Sequence, residues 1–140
     1  RLGKEIYSDR NVSLIIKPTS EGILEITPRI DGDSSTGISE VKTFLLDIVC
    51  LISAIRIGRA PRFLVHDSRL YDSMDDRQVA SCLNIGARLA DEHGFQYIIT
   101  MNSDRLDSVA QEGFEGRDYI IDSALTDRGE SGGLFGFRFI

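Results

Sequence analysis

The stretch from Phe63 to Asn102 constrains the fold of this chain more than any other. Phe63-Leu64-Val65-His66 is a short run that stops abruptly at Asp67, a helical pattern follows Ser73, and Tyr97-Ile98-Ile99-Thr100-Met101 then ends at Asn102. Two short strands separated by one helix form a crossover unit, and the right-handed crossover makes the strands parallel. Asp67 and Asn102 therefore emerge at the same edge of one sheet, the carboxyl edge where ligands of α/β proteins bind. A carboxylate delivered there suits a hydrated Mg²⁺ ion, which wants oxygen ligands and keeps several waters. The competing reading is an aspartate that hydrogen-bonds a nearby turn.

The elements around this unit follow from periodicity. Val12 to Ile16 and Gly22 to Thr27 alternate and carry β-branched residues, with Thr19-Ser20-Glu21-Gly22 between them, which predicts a β-hairpin whose strands are bounded by Pro18 and Pro28. Asp31 to Gly37 has no apolar side chain and reads as a solvated loop. A helix is expected from Ser39, whose hydroxyl would cap it, with Glu40 in the first turn. Val41, Phe44, Leu45, Ile48, Ile52 and Ile55 recur at helical spacing, and Leu46, Val49 and Leu51 extend the apolar surface, so this helix should be buried on most sides. Gly58-Arg59-Ala60-Pro61 ends it. Ser73-x-x-Asp76 resembles a capping box opening a helix to about Glu92, with Val79, Leu83, Ala87 and Ala90 on its core face and His93-Gly94 at its end. Tyr119-Ile120-Ile121 and Leu134 to Ile140 are further candidate strands.

Composition narrows the class. At 140 residues the chain is a single domain, 1–140, or part of one, large enough for a core. Apolar residues make up 41% and charged residues 27%, as in soluble globular proteins, and no run approaches the roughly 18 apolar residues that span a membrane. A net charge of −6 argues against broad binding to a nucleic-acid backbone by this piece alone, although a local patch or a partner can still supply DNA contact. Arg56, Arg59, Arg62 and Arg69 are candidates for such a phosphate-contacting patch, and Asp72, Asp75 and Asp76 read as a solvated helix start or a subunit contact. Cys50 and Cys82 lack zinc-ligand spacing and are expected to be buried free thiols; with no export signal, a reducing cytoplasm is the expected location. His66 should point away from Asp67, as a core or interface histidine, and His93 should interact with a helix dipole. Because the first residue is Arg1 rather than methionine, a longer parent chain is expected.

Taken in order, these parts resemble the carboxyl-terminal half of an ABC-type ATPase head of the SMC and recombination-repair kind. Thr36-Gly37-Ile38-Ser39-Glu40-Val41-Lys42 stands in the signature place, Phe63 to Asp67 in that of Walker B, Asp72 to Asp76 in that of the D-loop, and Asn102 in that of the switch. More narrowly, Phe63 to Leu70, Gln96 to Thr100 and Gly133-Leu134-Phe135-Gly136 are similar to a prokaryotic family known as domain of unknown function 2326, whose members carry this domain after a coiled coil and an amino-terminal nucleotide-binding half. The resemblance implies an α/β fold: half of a P-loop NTPase of the ABC/SMC type, with an amino-terminal β-hairpin and then a three-layer unit of a mainly parallel sheet and flanking helices. It implies ATP and Mg²⁺ as cofactors, with Asp67 on the metal and Gly37, Ser39, Glu40 and Lys42 on nucleotide across a homodimer. The partner within each head would be the amino-terminal half, since no Gly-x-x-x-x-Gly-Lys-Ser/Thr loop exists here.

The pattern also departs from that family. Ser68 follows Asp67 where a glutamate usually activates water, and serine is no base at neutral pH, so hydrolysis should be slow unless Asp72, Asp75 or a partner supplies a carboxylate. Asn102 replaces the switch histidine and can hydrogen-bond phosphate or water without carrying a proton. Ser131-Gly132-Gly133 matches the signature superficially, but no long helix follows and a turn is expected. Three readings stay open. The chain is the Walker B, D-loop and signature lobe of a slow ATPase in DNA repair or mobile-element defence; it is a hydrolysis-deficient, ATP-gated or structural dimerisation module; or it is a metal-dependent nuclease using Asp67 with Asp72 or Asp104.

Overall fold

The fold is that of a computed structural model, which describes residues 1–32, 35–121, 124–126, 129 and 132–133. A short helix, α1 (Leu2–Ile6), precedes a hairpin of β1 (Val12–Pro18) and β2 (Leu24–Ile30); then come the long helix α2 (Thr36–Arg56), β3 (Phe63–His66), a 3₁₀ turn (Ser68–Leu70), α3 (Asp76–His93), β4 (Gln96–Ile99), α4 (Ser103–Ala110) and a second 3₁₀ turn (Gly116–Tyr119). The class is α/β, with one antiparallel and one parallel two-stranded sheet among the described residues.

The hairpin pairs Val12 with Ile30 and Pro18 with Leu24. Pro18 closes β1, but Pro28 lies inside β2 opposite Leu14, not at its end. A two-stranded sheet has only edge strands, and an edge tolerates a residue without an N–H. Register places Val12, Leu14, Ile16 and Pro18 on one face with Ile30, Pro28, Ile26 and Leu24, so that face is wholly apolar. Ile30 at its base is buried in the core, whereas Leu14, Ile16, Leu24 and Ile26 toward its tip are exposed.

Helix α2 starts earlier than Ser39. Ser35 is its N-cap, with Oγ accepting from the Ile38 amide at 3.4 Å, and Gly37 and Ile38 are already buried in the first turn. Gly37 makes this possible, because a Cβ there would lie 2.6 Å from the Ser73 carbonyl oxygen. The glycine that reads as loop is where two elements touch. Val41, Phe44, Leu45, Ile48 and Ile52 continue the buried stripe, but Val49 and Cys50 are exposed, so the helix is buried on one face rather than on most sides. Cys82 is buried as expected.

Helix α3 is opened by Asp75, not Ser73. Asp75 Oδ1 accepts from the Gln78 amide at 2.8 Å while Gln78 Oε1 accepts from the Asp75 amide at 3.0 Å, a reciprocal capping box two residues later than Ser73-x-x-Asp76. Ser73 is engaged elsewhere, its amide donating to Glu40 Oε2 at 3.0 Å. The buried face is Val79, Cys82, Leu83, Gly86 and Leu89, with Ala87 and Ala90 at its margin, and Gly94 in the left-handed conformation ends the helix.

Strands β3 and β4 are parallel, Phe63 facing Gln96 and His66 facing Ile99. Leu64, His66, Tyr97 and Ile99 point inward, where α2 meets His66 through Asp47 and α3 meets Tyr97 through Gly86. Both helices thus cover one side. On the other, Phe63 is 50% and Val65 52% exposed, with Ile98 beside them at 37%. The expectation of fully buried strands in a three-layer unit fails at this point: the described residues form two layers, and the outward apolar face is open. Tyr119 to Ile121 is not a strand either; Tyr119 ends a 3₁₀ turn and stacks on Phe114 at 5.6 Å, while Ile120 and Ile121 are exposed. The candidate strand from Leu134 to Ile140 lies outside the described residues, as does Ser131; Gly132 donates to the Gly129 carbonyl oxygen, a turn contact. Among the described residues no helix is long and apolar enough to cross a membrane.

Candidate functional site

At the carboxyl edge of the parallel pair, a cleft of about 160 Å³ is lined by Ser68, Tyr71, Asp72, Met101, Asn102, Asp104 and Arg105. Ser68, Tyr71 and Asp72 come from the turn after β3, and the rest from the end of β4 and the first turns of α4. The pairing of β3 with β4 sets these walls side by side, and the ladder is prolonged by the Thr100 amide donating to the His66 carbonyl oxygen at 3.1 Å. Ser68, Asp72 and Asn102, far apart in sequence, are thus brought together. Asn102 occupies the N-cap of α4 but makes no capping bond through its side chain. Drug-sized ligands usually occupy roughly 300–1,000 Å³. This cleft is smaller, suited to a phosphate group, an ion or ordered water.

The other expected residues are placed differently. Asp67 is exposed beside the cleft and caps the 3₁₀ turn, its Oδ1 accepting from the Arg69 amide at 2.8 Å, which is the turn-bonding role. Asp75 is engaged in the α3 cap. Gly37, Ser39, Glu40 and Lys42 sit on the first turns of α2; Gly37 and Glu40 meet Ser73 of the same chain, Ser39 is exposed and Lys42 is half-buried. Among the described residues no group of three or more histidine, cysteine, aspartate or glutamate side chains converges as a metal cage. One exposed carboxylate followed by a serine hydroxyl fits Mg²⁺ arriving with phosphate oxygens and water, because that ion is commonly held by one or two carboxylates plus its substrate. Of the arginines, Arg62 donates to the carbonyl oxygens of His93 and Gly94 at the end of α3, which removes it from a phosphate patch.

Under the cleft runs a polar chain that periodicity alone does not disclose. His66, 6% exposed, has Nε2 at 3.3 Å from Asp47 Oδ2 and Nδ1 at 2.7 Å from the Tyr97 hydroxyl, which is 2.5 Å from the Tyr71 hydroxyl. With His66 neutral and its Nε2–H donating to the Asp47 carboxylate, the order of donors is fixed: the Tyr97 hydroxyl donates to Nδ1, and the Tyr71 hydroxyl donates to Tyr97. His66 is therefore a core histidine. Burial pushes its pKa down, and the hydrogen bond and charge of Asp47 oppose that shift. Burial pushes both tyrosines well above the usual phenol range. The chain ties α2, β3, β4 and the turn carrying Tyr71 into one polar core. Arg105 is the other residue the strand-end argument misses, although it stands three positions after Asn102, where a helix puts two side chains on one face.

Strand ends, turn and helix starts together define an α/β protein with a small polar cleft at the carboxyl edge of a parallel strand pair. The chain belongs to the family described as uncharacterised protein conserved in bacteria (DUF2326), whose model matches residues 2–139. No curated protein and no solved structure matches it.

Proposed function

We propose that this chain is the carboxyl-terminal lobe of an SMC-like, ABC-type ATPase head, half of a P-loop NTPase fold. The observation that carries the reading is the convergence of Ser68, Asp72 and Asn102 on one cleft beside Asp67, in the order Walker B, D-loop and switch. A second support is the open side of the parallel pair. Parallel strands are ordinarily covered on both faces, and Phe63, Val65 and Ile98 form an apolar face that an amino-terminal half bearing the P-loop would cover.

In this reading ATP with Mg²⁺ is the cofactor pair, and the ion supplies charge neutralisation at the phosphates. Asp67 lends its carboxylate to the ion's coordination. Asn102 orients water or a phosphate oxygen through its side-chain amide. Asp72, one of two carboxylates on the cleft wall with Asp104 and the one in the D-loop place, accepts a proton from that water in place of the glutamate absent at Ser68. A displaced or missing base typically lowers rates by about 10²–10⁴, so turnover is slow. The start of α2 faces nucleotide on an opposing copy through Ser39 and Lys42, giving a cytoplasmic homodimer whose business is DNA repair or mobile-element defence, with DNA a further partner.

Ser68 also favours a second reading, an ATP-gated or purely structural dimerisation module without turnover. The nuclease reading, Asp67 with Asp72 or Asp104, is tested by DNA cleavage by the 140-residue chain with Mg²⁺ or Mn²⁺ and no nucleotide; no cleavage removes it. The deciding experiment is Mg-ATP turnover by the full-length polypeptide with Asp67→Asn alongside. Slow turnover abolished in the variant is expected; turnover unchanged by the substitution overturns the ATPase assignment.

A further inference from the structure

Arg105 is the cation of the cleft lining, and its guanidinium is already engaged. Its Nη2 donates to the Met74 carbonyl oxygen at 2.6 Å and lies 3.2 Å from Asp76 Oδ1. That carboxylate oxygen is fully buried, and among the described residues no hydrogen bond satisfies it, so Arg105 is its compensating charge. Met74 is itself buried, just before the Asp75 cap of α3. One side chain from α4 thus reaches back across the cleft and grips the turn that carries Tyr71 and Asp72.

We propose that Arg105 is a positioning residue that braces the Tyr71–Asp75 turn against α4 and so fixes the spacing between Asp72 and Asn102. The inference rests on the ATPase reading for its catalytic consequence but not for the brace itself. A phosphate contact is the competing role. The brace is favoured because the guanidinium Nη2 is already committed within the chain, to the Met74 carbonyl oxygen and to the charge of Asp76.

The two roles separate in the full-length protein with Arg105→Ala, Asp76→Ala and the double Asp76→Ala/Arg105→Ala variant. A brace predicts that Arg105→Ala lowers kcat about tenfold or more, with KM for Mg-ATP changed less than about threefold, since misplacing groups affects the reacting state. It also predicts that Asp76→Ala lowers kcat in the same direction and adds nothing in the Arg105→Ala background, because the pair acts as one unit. An alanine variant that keeps kcat, or a rise confined to KM, overturns it. Amide hydrogen exchange is the readout independent of activity: Arg105→Ala should speed exchange in both 73–77 and 103–107, and acceleration in neither or in α4 alone overturns the proposal. Should the wild type show no turnover, the ATPase reading fails while exchange alone decides the brace.

Discussion

His66 is held neutral inside the protein by its surroundings, and that has a consequence for pH. Asp47 of α2, Tyr97 of β4 and Tyr71 of the following turn face it through the hydrogen-bonded chain, with Phe44 packed against the ring. Burial is the largest influence and lowers its pKa in the folded state. An unfolded chain carries histidine near the ordinary value of about 6.5, so below that pH the unfolded state binds the proton more readily. Stability from His66 is therefore complete above about pH 6.5 and is lost as the pH falls toward its depressed folded value. Urea midpoints at pH 7.5 and 5.5 should differ in the wild type, and His66→Gln should shrink that difference. An equal pH dependence in the variant would mean that other groups carry it.

Helix α3 and strand β4 meet at Gly86, where a Cβ would run into the Tyr97 ring. Alanine gains about 1 kcal/mol in helix propensity over glycine, whereas overpacking a filled core costs about 1–3 kcal/mol. Tyr97 is held by His66 and Tyr71 and cannot swing aside cheaply, so packing wins. Gly86→Ala is expected to destabilise by about 1–2 kcal/mol in chemical denaturation; an unchanged midpoint would show that the ring moves. The same contact shows what local sequence can and cannot reveal. Alternation and helical spacing located the hairpin, α2, β3, α3 and β4, and the rule that strands deliver polar residues to one edge brought out Asp67 and Asn102, whereas Ser68 and Asp72 came from the resemblance to an ABC-type head. Helix starts were misplaced because Gly37 and Ser73 are chosen by each other across the fold, not by their neighbours in the chain. Tyr71, Arg105 and the Asp47–His66–Tyr97 chain stayed hidden for the same reason: each acts through residues more than ten positions away.

Across the whole molecule, α2 and α3 make a well-filled core with one side of the β3–β4 pair, and Tyr7 joins α1 to it by accepting from Gln78 Nε2 at 2.7 Å. Two apolar surfaces fall outside that core: the tip of the hairpin, with Leu14, Ile16, Leu24 and Ile26, and the outward face of the strand pair. Water ordered over such carbon-rich surface carries an excess heat capacity that disappears when the surface is covered. Calorimetric titration of the 140-residue chain with the proposed amino-terminal half of the head at several temperatures should therefore give a binding enthalpy that grows more negative on warming. Val65→Ser with Ile98→Ser on the outward face of the strand pair should flatten that slope; an enthalpy indifferent to temperature from the start would mean that the two halves meet through polar contacts. What looks in the isolated chain like an unfinished surface would then be readable as a thermal signature of assembly.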